Sequence, residues 1–228
     1  MKTPSQFNAK LPHNRLICEF SMWSAKLLRL EEDLRRIGTH ADILHVDVAD
    51  GHFAPAMLFF PDLVAAMRKF TPLPIHVHLM VANEILISQV DQFAGAGSDL
   101  ISIHVENAPL AAAALDHIKA KGIAAGLVLK WDTPISEAAP YVGKIDFLTL
   151  LGTAIGVKGQ SLSDAALGRL QEAKTLIDGS DIVLAADGGI RDNTVPLLRQ
   201  AGAETVVLGS LAFAATDLPA RMAWLKAL

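Results

Sequence analysis

Four side chains of the kind that ligate metals or move protons stand where apolar, β-branched runs come to an end. His45 and Asp47 lie in His45-Val46-Asp47-Val48-Ala49-Asp50-Gly51-His52-Phe53, His78 in His76-Val77-His78-Leu79-Met80, and Asp187 in Ala185-Ala186-Asp187-Gly188-Gly189. Side chains two apart on a strand share a face, so His45 and Asp47 can point inward together, as can His76 and His78. Imidazoles and carboxylates at the ends of apolar strands are costly to bury unless they are paired or bound to a metal. Any one of them alone reads more simply as a hydrogen-bonded core histidine or a turn-capping aspartate. Two histidines and two carboxylates together suit a divalent zinc, iron(II), manganese or cobalt ion, with substrate oxygens at open positions.

The elements that must carry these residues alternate along the chain. Strand-like runs fall at Leu16–Phe20, Ile43–Val48, Ile75–Met80, Leu100–Val105, Ala124–Leu129, Phe147–Leu151, Ile182–Ala186 and Thr205–Leu208. They are short and almost uniformly apolar, as parallel strands covered by helices are. Helical periodicity fills the spaces at Ala25–Ile37, Pro61–Phe70, Glu84–Ala94, Pro109–Lys121, Ile135–Val142, Ser163–Ile177 and Asp192–Gln200, and again at Leu218–Ala227. Gly95-Ala96-Gly97 and Ala201-Gly202-Ala203 sit where a helix stops before a strand.

Eight such units in 228 residues predict an α/β fold, a single (β/α)8 barrel over 1–228 with residues 1–14 a polar N-terminal arm. No Gly-x-Gly-x-x-Gly follows the first strand, which speaks against a dinucleotide fold. A barrel gathers its functional side chains at the C-terminal ends of its strands, where the four residues above fall.

Composition narrows the partners. Hydrophobic residues at 51% and charged residues at 19% exclude a disordered chain. A net charge of −4 and a pI near 6.0 lack the basic footprint of a nucleic-acid binder. An anionic substrate would therefore need a local site. No segment has the apolar length of a membrane span. Cys18 is the sole cysteine, so no disulfide framework or cysteine zinc cluster is expected, and a cytoplasmic setting fits.

The motif from His45 to Phe53 closely resembles the signature of the ribulose-phosphate 3-epimerase family. Val77-His78-Leu79-Met80, Asp187-Gly188-Gly189 and Leu208-Gly209-Ser210-Leu211-Ala212-Phe213 resemble it too, in the same order, and Ser21-Met22-Trp23-Ser24-Ala25 is similar to its first-strand serine motif. The resemblance implies a metal held by His45, Asp47, His78 and Asp187. It implies that Asp47 and Asp187 double as the catalytic acid/base pair, that Ser21 contacts substrate, and that the substrate is a small phosphorylated ketose.

Inverting a carbon beside a carbonyl means taking a proton from one face and returning one to the other, which two carboxylates on opposite sides of an enediolate would do. A metal on the carbonyl and hydroxyl oxygens would stabilise the negative charge, and His78 is expected to contact substrate as well as the ion. Phosphate is expected near the seventh and eighth strands, against the backbone of Gly188, Gly189, Gly209 and Ser210. The loop Gly152-Thr153-Ala154-Ile155-Gly156-Val157-Lys158-Gly159-Gln160 is read as a lid whose Gly156 and Gly159 also meet substrate.

That lid departs from the family's usual Pro-Gly-Phe-Gly-Gly-Gln run. Ala49 and Leu151 stand for pocket methionines, Lys26 for an acid, and His76 for another acid. The same chemistry on a related ketose phosphate is therefore also open. Asp50 reads as a turn residue, His52 as a loop residue near the substrate, His76 as a core or supporting position, and His104 as buried and hydrogen-bonded. Lys158 reads equally as a phosphate partner or a solvated charge. Apolar residues near the mouth such as Trp23, Phe59 and Phe60 would suit a homo-oligomer. Competing readings are an aldolase or decarboxylase barrel, for which Lys130 is weak evidence, and a barrel that binds sugar phosphate or metal without turnover.

Overall fold

The computed structural model describes residues 6–228. Its barrel strands are β1 (Ile17–Ser21), β2 (Ile43–Asp50), β3 (Ile75–Met80), β4 (Leu100–His104), β5 (Ala124–Leu129), β6 (Phe147–Leu151), β7 (Val183–Asp187) and β8 (Thr205–Leu208). Each pairs in parallel with the next, and β1 pairs with both β8 and β2, so the sheet closes on itself. A two-residue antiparallel strand, Met57–Leu58, extends β2 at the mouth. The α-helices are α1 (Leu30–Ile37), α2 (Pro61–Phe70), α3 (Asn83–Gly95), α4 (Ala111–Ala120), α5 (Ala166–Leu176), α6 (Val195–Ala201), α7 (Ser210–Phe213) and α8 (Leu218–Lys226).

Two expected helices take another form. Ile135–Tyr141 is a 3-10 helix containing Pro140, whose missing N–H and ring oppose α-helical bonding. The segment expected as one helix from Ala25 becomes α-helical only at Leu30, because Asp33 accepts the Lys26 N–H at 2.7 Å and ties down the entering chain. Gly202, at φ +118°, closes α6 in a conformation that an L side chain rarely adopts.

Alternation along the strands divides the interior into two cores. Cys18, Phe20, Leu44, Val46, Val77, Leu79, Ile101 and Ile103 face outward and pack beneath the helices. Ile17, Ile43, Leu100, Ala124, Phe147 and Val183 form a separate apolar layer inside the barrel's lower end. The N-terminal arm is less polar in its packing than its composition predicts. Leu11 is buried in that layer and Phe7 meets Phe147 edge-on at 6.1 Å, so the arm stoppers the apolar lower opening. The first five residues of the arm lie outside the described residues.

The lower rim carries a fourfold device. Asp42, Asp99, Asp146 and Glu204 immediately precede β2, β4, β6 and β8. Their N–H groups donate to the carbonyls of Cys18, Ile75, Ala125 and Leu184. Their carboxylates accept the N–H of those same four residues at 2.9, 2.8, 2.9 and 3.2 Å. Each acid thus clips the start of an even strand to the odd strand before it and fixes the register that sets the height of every side chain above. Asp146→Ala should lower the unfolding free energy by about 1.5–3 kcal/mol, the worth of a charge-assisted hydrogen bond. Urea denaturation measures this, and an unchanged midpoint would show that the ladder holds its register without the clip.

Candidate active site

Above the apolar layer, the inward positions turn polar. Register places His45 beside His76 and Asp47 beside His78 across β2 and β3, and Ser21 beside His45 across β1 and β2. Asp187 ends β7 across the barrel. One donor atom from each of His45, Asp47, His78 and Asp187 lies within 4.8 Å of the others, so the four could hold a metal ion.

The fit goes further than proximity. Nε2 of His45 and Nδ1 of His78 are buried and have no hydrogen-bond partner among the described residues. They stand 3.2 and 3.4 Å from Asp47 Oδ1, close but poorly angled for hydrogen bonds. Nε2 of His45 is also 4.0 Å from Asp187 Oδ2. Two buried nitrogens aimed at one point between two carboxylates are what a divalent cation requires.

Each donor is held from behind. Ser21 Oγ donates to Asp47 Oδ2 at 2.9 Å, and Nδ1 of His45 meets Glu19 Oε2 at 2.9 Å. Nε2 of His78 meets Nε2 of His104 at 2.8 Å, and Nδ1 of His104 meets Glu106 Oε2 at 2.9 Å. Glu106 is itself fixed by the Lys130 N–H, at 2.9 Å, and by the Thr133 hydroxyl.

These surroundings split the proton affinities. Burial alone would raise the Asp47 carboxyl, but His45 and His78 overcome it and hold Asp47 well below the usual carboxylate range. Asp187 is pushed up to about 6 by burial, against the pull of His45 and with the help of Asp47's charge. His45 is raised well above the ordinary imidazole value, its burial being outweighed by Asp47 and Glu19. Glu19, although buried, is held at about 2 by His76 and His45. Burial lowers His104 to about 4, so it is neutral and can accept from His78.

A cavity of about 310 Å³ opens beside the donors. Asp47, His78 and Asp187 line it together with Ser21, Gly159, Gly188, Gly189, Gly209 and Ser210. Gly156 does not reach it; at φ +72° it packs against Pro55 and Ala54. Gly188 and Gly189 also take positive φ, and the space a side chain would fill there is already held by Thr153 and Leu162 of the sixth-strand loop.

That loop lies over the cavity. Ile155 packs with Ala49, Ala54 and Met80, while Lys158 Nζ donates to Trp23 O at 2.6 Å and sits 4.5 Å from the centre of its ring. Lys158 is therefore neither a bare solvated charge nor turned from the site, since it also lines the cavity. Lys130, by contrast, stacks 4.2 Å over Phe53 and lies outside the cavity lining, which removes support for an imine-forming lysine there.

Other expectations resolve plainly. Asp50 is a turn residue: its Oδ1 accepts the N–H of His52 and Phe53, and its Oδ2 that of Ala82. His52 is exposed. His76 supports rather than ligates, with Nδ1 at 2.7 Å from Glu19 and Nε2 at 2.6 Å from Ser102 Oγ. Trp23 lines the cavity, Phe59 packs partly on the core, and Phe60 is exposed. Sequence reasoning passed over Glu19, Glu106 and Arg191. The charge inside Ile17-Cys18-Glu19-Phe20 was a usable signal for the first; nothing marked Arg191, which lines the cavity beyond the glycine pair.

A closed parallel barrel with buried imidazoles and carboxylates that could hold a metal ion converging toward the strands' C-terminal ends is the architecture of a barrel enzyme. The model of the ribulose-phosphate 3 epimerase family matches residues 17–213, and the chain belongs to that family. It is 35% identical over 180 residues to a ribulose-phosphate 3-epimerase of Bacillus subtilis (strain 168), covering 78% of this chain and 82% of that one. It is 36% identical over 201 residues to the enzyme of that name from Escherichia coli (strain K12), covering 86% and 88%.

Among solved structures, orotidine 5'-phosphate decarboxylase from Pyrococcus horikoshii OT3 is similar at a TM-score of 0.67 and 11% identity, over 92% of this chain and 97% of that one. A 3-hexulose-6-phosphate synthase is similar at 0.66 and 18% identity, over 93% and 99%. At these identities the likeness is one of fold. No helix among the described residues is long and apolar enough to cross a membrane.

Proposed function

We propose that this protein is a metal-dependent 3-epimerase of a phosphorylated ketose, ribulose 5-phosphate or a close relative. The observation that carries the reading is the meeting of Asp47 and Asp187, from strands on different sides of the barrel, with two buried imidazole nitrogens that have no hydrogen-bond partner among the described residues.

His45, Asp47, His78 and Asp187 would hold the cation, of the zinc, iron(II), manganese or cobalt type, though the donor set does not single out one of these. Bound there, it supplies positive charge against the substrate oxygens that turn negative as the proton leaves. Asp47 and Asp187 move the protons. From strands on different sides of the barrel, one carboxylate can lift hydrogen from one face while the other gives a proton to the opposite face, the roles alternating with the direction of reaction. Ser21 steadies Asp47 through Oδ2, leaving Oδ1 toward the two imidazole nitrogens that would share the cation.

The phosphate would lie against the Gly188, Gly189, Gly209 and Ser210 backbone, beside the Arg191 and Lys158 cations that line the same cavity. Lys158 and Ile155 keep the loop down over it, and Gly159 belongs to that cover. Burial lowers the Lys158 ammonium, which favours an anionic neighbour. The reading extends to a cytoplasmic setting, supported by a lone buried thiol, and to a homo-oligomer, supported by exposed Phe60.

The test is solvent exchange. Cobalt- or zinc-loaded protein in deuterated water, offered ketose phosphates of about four to six carbons, should place deuterium at the carbon beside the carbonyl and invert it, with ribulose 5-phosphate among the substrates. Absence of exchange with every one of them would sink the assignment.

A further inference from the structure

Glu19 is fully buried, does not line the cavity, and sits one layer below the four donors. Burying a carboxylate costs several kcal/mol unless its oxygens are well served. Here Oε2 lies 2.9 Å from Nδ1 of His45 and 2.7 Å from Nδ1 of His76, and Oε1 faces the Thr205 hydroxyl at 3.4 Å.

An ionised carboxylate only accepts, so both Nδ1 atoms carry hydrogen. Neutral His45 must then present a bare Nε2, the atom aimed at Asp47 and Asp187. Neutral His76 has a bare Nε2 as well, which accepts from Ser102 Oγ at 2.6 Å. Room for this brace comes from β5: a Cβ at Gly126 would stand 1.9 Å from Ser102 Oγ. The chain Ser102–His76–Glu19–His45 is thus a single consistent set of donors and acceptors spanning four strands, and it ends on a metal-facing lone pair.

We propose that Glu19 is a positioning residue which, braced by His76 and Ser102, fixes the tautomer and ring orientation of His45 and thereby sets how tightly the site holds its cation. The proposal rests on the metal site of the preceding section. The other imidazole, of His78, reaches a carboxylate, Glu106, only through His104; for His45 the link is direct.

The experiment titrates cobalt(II) into the metal-free full chain in competition with a chromophoric chelator and records the visible spectrum of the bound ion. Glu19→Gln keeps the volume and removes the charge. It should raise the cobalt dissociation constant by about 10–100-fold, the usual cost of losing such a support, and alter the spectrum, while far-ultraviolet circular dichroism stays native.

A merely structural role is separated by moving the acid. Positions 45 and 76 are register partners with ring centroids 4.7 Å apart. The double variant Glu19→Ala/His76→Asp therefore returns a carboxylate beside His45 and should recover affinity to within about tenfold of the unaltered protein. Unaltered protein that binds cobalt, with Glu19→Gln binding equally well and giving the same spectrum, overturns this proposal and leaves the function intact. Unaltered protein whose cobalt binding does not depend on Asp187 overturns both. Should Glu19→Gln not fold, the double variant decides: recovered affinity supports the role, and a folded protein about a hundredfold weaker overturns it.

Discussion

Asp187→Asn should suppress interconversion of the two epimers by about 10²–10⁴-fold, the usual worth of one positioned acid or base, while a ketose phosphate still binds. The amide matches the carboxylate in shape but cannot exchange a proton at the reacting carbon. The loss should be lopsided. Asp47, held ionised by His45 and His78 and steadied by Ser21, can still lift and return a proton on its own face. One epimer should therefore keep some solvent exchange without inverting, and the other should lose exchange altogether. Following each purified epimer by proton NMR in deuterated water separates the two behaviours. Unchanged interconversion in the variant would remove Asp187 from the chemistry, and equal loss from both epimers would argue that one group serves both faces.

Removing the cation should have an effect as large. After dialysis against a strong chelator, epimerisation should fall to background, and returning cobalt or zinc should restore it. The same titration is visible in stability: an ion at about a hundred times its dissociation constant adds about 2.7 kcal/mol to the unfolding free energy.

Its pH dependence has a definite sign. The metal-free site keeps a proton on Asp187 up to about pH 6, and His45 is raised well above the ordinary imidazole value. A cation needs both groups bare, so uptake expels protons and apparent affinity must climb with pH. Each proton released contributes about a tenfold gain per pH unit, so the climb should be steepest below about pH 6 and shallower once only His45 still gives up a proton. A flat profile across this range would mean that neither group ligates the ion.

How far the sequence led is clearest at three places. Strands β3, β5, β6 and β8 begin and end where apolar runs do, because strands covered on both faces admit few polar residues. Asp47 inside β2 and Asp187 at the end of β7 were visible for the converse reason, a carboxylate where burial is dear. The 3-10 helix at Ile135–Tyr141 was missed because apolar spacing reports a buried face, whereas Pro140 decides which hydrogen bonds can form.

Glu19 shows the other side of the matter. Its charge stood in plain view, but its use depends on His76 arriving from β3 and Ser102 from β4, 57 and 26 residues from their respective partners. Gly156 and Gly159 are alike as text, yet one abuts Pro55 and the other lines the cavity.

By itself, then, the order of residues determined a closed barrel, its family, and the positions of His45, Asp47, His78 and Asp187 toward its upper end, since periodicity and residue type are local properties. Only the folded chain decided which nitrogen of His45 and of His78 faces Asp47, which acid stands behind it, and how the loop carrying Lys158 lies over Trp23. Those are matters of distance and direction between segments far apart along the chain, fixed here by strand register and by the acidic clips beneath it.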